Sequence, residues 1–139
     1  MTSKNFGNIY IVKLKKGEEV ISSLENFARV EEIRFAWISG LGGLEKASIG
    51  YYNLGGKQYH FKDFSGDLEV TSLEGNIASF EGKSALHIHL TISDENQNTL
   101  GGHLKEAVVG GTLELRVETF DQEINRVKDD DTGLDLLDF

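Results

Sequence analysis

The residues best suited to chemistry lie between positions 84 and 103. His87-Ile88-His89 falls in an alternating run: Leu86, Ile88, Leu90 and Ile92 share one parity, and Ala85, His87, His89 and Thr91 share the other. A strand has a side-chain period of two, so His-x-His sets two imidazoles side by side on one face. His103 follows a polar loop at 93–98 and the pair Gly101-Gly102. Those glycines let the backbone pass closely and bring a third imidazole toward the same face. Three neutral imidazoles around Zn²⁺ leave a fourth position open, as in catalytic zinc sites. Imidazole also suits Fe, Ni and Cu, so the residues point to Zn²⁺ or another divalent transition metal without fixing which. The plainer alternative is that His87 and His89 are half-exposed strand residues bonded to their neighbours. His60, alternating with Tyr59 and Phe61, reads as ordinary strand packing.

Other chemistry finds less support. The absence of cysteine excludes disulfides, iron–sulfur clusters and thiol nucleophiles. Ser39 and Ser72 lack the Gly-x-Ser-x-Gly elbow of a serine hydrolase. Gly40-x-Gly42-Gly43 lacks the full dinucleotide fingerprint and leads into another strand instead of a helix. A cupin would need a glutamate sooner after His89 than Glu95 provides. No carboxylate pair can be placed at a catalytic separation, so catalytic residues stay unassigned.

The elements that must hold the histidines are mostly strands. Residues 8–14 read as an inner strand, apolar on both faces. Residues 17–32 read as the one helix, with Val20, Leu24, Phe27 and Ala28 on a single stripe and Glu18 and Glu19 in its first turn. Phe35-Ala36-Trp37-Ile38 is a buried strand that bends or bulges at Gly40, Gly42 and Gly43. Strands at 47–53 and 57–63 form a hairpin around Gly55-Gly56. In 67–80 the apolar parity slips near Thr71-Ser72, which predicts a bulge. Gly82 turns the chain into 84–92; 104–108 fits either helix or strand; 112–120 closes the sheet. The stretch 121–139 is acidic, yet Leu134, Leu136, Leu137 and Phe139 predict that its end docks on its own domain or on a neighbouring subunit. The expected fold is α+β: a mostly antiparallel, bulged sheet with one main helix packed on it, in a single domain over 1–139.

These features resemble the plant and prokaryote conserved (PPC) domain. The resemblance is carried by Gly17-Glu18-Glu19-Val20 with Leu24 and Phe27-Ala28, Ile38-Ser39-Gly40-Leu41-Gly42, and Ala47 with Gly50-Tyr51-Tyr52. It continues in Glu69 with Ser72-Leu73, Gly75-Asn76-Ile77, His87-Ile88-His89, Gly101-Gly102-His103-Leu104 and Thr132-Gly133-Leu134. The resemblance implies a homotrimer. It also implies a metal on His87, His89 and His103, as in some prokaryotic members. Plant members carry the domain beside AT-hook motifs and regulate transcription; this sequence contains no AT-hook.

Three functions follow as expectations: a trimeric metal-binding module that acts by binding a small ligand or a protein partner; a metal-dependent enzyme with a nearby Glu or Tyr as acid or base; or a DNA-associated regulator. Residues 1–8 lack the apolar core of a signal peptide, and no apolar run reaches membrane-spanning length, so a cytoplasmic protein without a membrane partner is expected. Charge weighs against DNA. Fourteen basic residues face twenty-three acidic ones, a net −9 that a trimer would triple. Duplex binding needs cations clustered along the phosphates, and the only tight basic group is Lys13, Lys15 and Lys16. Fluorescence anisotropy at physiological salt should therefore show weak or no duplex binding. Submicromolar binding that weakens steeply with added salt would contradict the charge argument.

Overall fold

A computed structural model describes all 139 residues. Its elements in chain order are β1 (Thr2–Phe6), β2 (Ile9–Lys15), α1 (Val20–Val30), β3 (Phe35–Asn53), β4 (Gln58–Phe80), β5 (Lys83–Ser93), β6 (Thr99–Phe120), β7 (Asn125–Lys128) and β8 (Asp135–Asp138). The protein is mostly β, with one helix on a single sheet. Every strand pair is antiparallel except the short β4·β7 contact.

Three strands are far longer than the usual five or six residues: β3, β4 and β6 run to 19, 23 and 22. Straight strands of that length would splay from a small core. Here bulges bend them. Register shifts occur in β3 between Gly40 and Gly42 and between Leu44 and Lys46, and in β4 between Val70 and Ser72. The latter explains the parity slip: Leu68, Val70, Leu73 and Ile77 all reach the core although the alternation breaks between them. The bent strands pair in a closed circuit, β3 to β4 to β5 to β6 and back to β3. Closure pairs edges of these four strands that would otherwise invite other chains, and leaves β1 and β8 as the terminal strands of the sheet. β1 and β2 extend one side of this circuit, and β7 and β8 extend the other.

The structure merges segments that the sequence divides. Residues 35–38 and 47–53 belong to one strand, as do 57–63 and 67–80, because glycines and bulges bend the chain without ending its ladder. The ambiguous stretch 104–108 is strand, continuous with 112–120 in β6. α1 is shorter than its pattern suggested. Glu19 is the N-cap, not a first-turn residue, and its carboxylate accepts from the backbone N–H of Ile21 (3.1 Å) and Ser22 (2.7 Å). It also accepts from Ala107 N–H at 3.3 Å, tying the helix start to β6. Burial opposes its ionisation, but these hydrogen bonds prevail and keep its pKa low. Val20, Leu24, Phe27 and Ala28 join a core of 24 buried residues that includes Val12 and Leu14 of β2 and Leu113, Leu115 and Val117 of β6. The opposite face of β2, β6 and β3 is less covered: register places Ile11, Trp37 and Leu41 together there beside Glu114, Arg116 and Glu118.

Gly75 shows how tightly the circuit closes. A Cβ there would lie 2.5 Å from the carbonyl oxygen of His87 and 3.0 Å from Cα of Ile88, both backbone atoms that cannot swing aside. Gly111 has nothing within 4 Å of the same position. Urea unfolding should therefore show Gly75→Ala destabilised by about 1–3 kcal/mol, the usual cost of overpacking. Gly111→Ala should stay within about 0.5 kcal/mol of the parent. Equal effects from the two substitutions would contradict this account of the packing.

Candidate metal centre and its cleft

The three histidines meet where β5 is paired on both sides. Against β4, Glu74 faces His89 and Asn76 faces His87; against β6, His89 faces His103. Strand alternation keeps the inner residues Ile88 and Leu90 buried and turns the imidazoles to the other face. The ring nitrogens of His87, His89 and His103 lie within 4.8 Å of one another. His87 Nε2 and His89 Nε2 are 3.1 Å apart, and the ring centroids of His103 lie 5.3 and 5.5 Å from those of His87 and His89. His60 stands apart, exposed and stacked on Tyr51 at 5.3 Å.

The donor set suits a transition metal. Ligands about 2.1 Å from a tetrahedral ion are themselves about 3.4 Å apart, close to the separation of His87 and His89. His103 Nδ1 is buried without a hydrogen-bond partner, so this nitrogen has a lone pair or a proton left unmatched by the protein. Burial, followed by the charges of His87, His89 and Arg126, lowers the His103 pKa to about 4. Burial, with Arg126 and His89, lowers that of His87 as well. Both rings are therefore neutral near pH 7, the form that binds metal.

Residues outside the histidine pattern complete the surroundings. The Tyr59 ring lies 4.6 Å from that of His103, and burial, reinforced by Tyr52, raises its phenol pKa so that it stays protonated. The β7–β8 segment packs over this region. Arg126 of β7 donates from Nη2 to Asn76 Oδ1 at 2.6 Å and from Nη1 to the Asp135 carbonyl at 2.7 Å. Tyr52 donates its hydroxyl to the Thr132 carbonyl at 2.8 Å, and Lys57 donates to the Asp130 carbonyl at 2.6 Å. Together these elements enclose an open cleft of about 1010 Å³ with the histidines in its wall. Reading the sequence alone missed Arg126, Tyr59 and Asn76. The aromatic alternation at 59–61 was a weak signal for Tyr59, and nothing local marks Arg126.

The depressed His103 pKa has a measurable consequence. A base kept neutral in the folded chain but free to protonate when unfolded weakens the fold as pH falls. The loss begins below the ordinary histidine value of about 6.5 and is complete below about 4. After metal removal, urea unfolding of His103→Gln should show a shallower decline across that window than the parent. Superimposable pH profiles would contradict the burial of this ring.

Comparison with known proteins agrees with the fold. Residues 1–121 match the Plants and Prokaryotes Conserved (PCC) domain. A candidate DNA-binding protein from Bacteroides thetaiotaomicron is 32% identical and superposes with a TM-score of 0.96 over 99% of this chain and 96% of its own. A metal-containing protein from Archaeoglobus fulgidus is 29% identical, with a TM-score of 0.87 over 99% of this chain and 98% of its own. The bifunctional protein GlmU of Synechococcus is 27% identical over 118 residues, covering 78% of this chain and 18% of GlmU. The chain thus spans less than a fifth of that curated relative. No helix is long and apolar enough to cross a membrane. By the match over residues 1–121 and the shared fold, the chain belongs to the Plants and Prokaryotes Conserved (PCC) domain family.

Proposed function

We propose that this protein is a metal-binding module that holds Zn²⁺, or a similar divalent ion, on His87, His89 and His103 and acts by binding a ligand in the adjoining cleft. The observation that carries this reading is the convergence of three ring nitrogens within 4.8 Å, two of the rings kept neutral by burial. The bound ion would supply a Lewis-acidic position open to the cleft. The protein's own groups bind and orient: Tyr59 packs beside His103, and Asn76 and Arg126 hold the neighbouring wall. The metal-containing Archaeoglobus relative supports the reading. The role suggested for the Bacteroides relative carries less weight here because this chain has a net charge of −9.

The same reading includes a homotrimer. Ile11, Trp37 and Leu41 are 46%, 46% and 59% exposed on one sheet face, and side chains of that size favour cover by a second subunit. The cover would lie on the side of the sheet opposite the β2 and β6 core residues.

Calorimetric titration of chelated protein with zinc should give about one ion per chain. Alanine at His87, His89 or His103 should each weaken binding by at least about 100-fold, beyond the usual effect of removing a supporting contact. His60→Ala should leave binding unchanged. Zinc affinity that survives the three substitutions would place the metal elsewhere and overturn the proposal.

A further inference from the structure

The cleft has the opposite sign to the chain that forms it. Its walls carry Lys57, Arg126 and Lys128 against one carboxylate, Asp135, which pairs with Lys128 at 3.7 Å and leaves Lys57 and Arg126 in excess. The whole sequence has 14 basic and 23 acidic residues. Cations gathered around a concave, partly apolar surface focus the field and raise the local concentration of anions.

Arg126 is the centre of this arrangement. Both groups that accept from it, the Asn76 side-chain oxygen and the Asp135 carbonyl, are uncharged. None of the ion pairs within 4.0 Å includes it. Only two of its five N–H donors are engaged, and Nε is buried without a partner. Burial lowers its pKa, with Asp135 and Tyr59 opposing the shift. A guanidinium held partly out of water without a contacting carboxylate gains from an anion that can approach its remaining N–H groups. Asn76 and the Asp135 backbone meanwhile fix its orientation, so little freedom is lost on binding.

The other walls describe the rest of the ligand. Tyr52, Tyr59, Phe80, Leu134 and Leu137 line the cleft with aromatic and aliphatic surface. Its volume of about 1010 Å³ is ample for a small organic molecule. Inorganic phosphate would use the charge and leave these walls bare.

We propose that the cleft binds a small organic carboxylate, its head group on Arg126 beside the three histidines and its apolar body against the aromatic wall. This rests on reading the cleft as a ligand site and adds the chemical class of the ligand.

Benzoate, its neutral counterpart benzamide, and inorganic phosphate test the assignment by calorimetry on the full chain, zinc-loaded and chelated. Benzoate should bind at least about tenfold more tightly than benzamide. Arg126→Gln should remove most of that difference. Arg126→Lys, which keeps the charge but not the planar fork, should weaken benzoate at least about threefold and gives a second test if the neutral variant does not fold. In chelated protein the Arg126 dependence should persist, so loss of the zinc site alone would overturn the metal reading and leave this one standing. Equal affinity for benzoate and benzamide, unchanged benzoate binding in both Arg126 variants, or tighter binding of phosphate than of benzoate would overturn the proposal.

Discussion

The double pairing of β5 governs the arrangement around the cleft. This strand must bond to β4 along most of its length and to β6 near its C-terminal end. With both neighbours fixed, a one-residue slip would carry Ile88, Leu90 and Ile92 out of the core and the histidines into it. The cost of exposing three buried aliphatic side chains is several kcal/mol. Core burial thus enforces the register that sets His89 opposite His103 and leaves His87 two residues away on the same face. Gly75 and Gly102 belong to the same constraint. A Cβ at Gly75 would meet the backbone of His87 and Ile88, and one at Gly102 would meet the carbonyl oxygen of Gly50. Small residues let neighbouring strands approach closely, and that approach brings the rings together.

The electrostatic character of the site follows from where the chain places Arg126, which has no ion-pair partner. Most acidic side chains remain in solvent, where their charges are screened. Arg126 is instead drawn onto the sheet by the β7–β8 segment, within reach of Asn76 and close enough to disfavour protonation of His87 and His103. One guanidinium therefore has two effects: it helps keep two imidazoles neutral, and it offers positive charge to the cleft. In the proposed reading a metal ion would add to that positive field.

Much of the architecture was legible in the sequence because it depends on local periodicity. The apolar stripe Val20, Leu24, Phe27 and Ala28 specifies α1, and the alternation around His87 and His89 specifies β5 and the face carrying both rings. The slip at Thr71-Ser72 marks a real bulge. Segment joins were less legible. Glycine signals a turn, a bulge or a close approach with the same letter, and only long-range pairing shows that Gly40, Gly42 and Gly43 bend β3 without ending it. The convergence of His103 on His89 required a strand reading of 99–108, which the local pattern left open. Arg126 could not be found from sequence because the flanking Ile124-Asn125 and Val127-Lys128 form no motif that marks a site. Its position depends on contacts with Asn76, fifty residues earlier in the chain.

The central claim is that the three imidazoles form one metal-binding point. Anomalous diffraction at the zinc edge, from crystals grown with zinc, tests it most directly. The account predicts one peak per chain about 2.1 Å from a ring nitrogen of each of His87, His89 and His103. A well-ordered zinc peak elsewhere, with these three rings engaged only in hydrogen bonds, would contradict it.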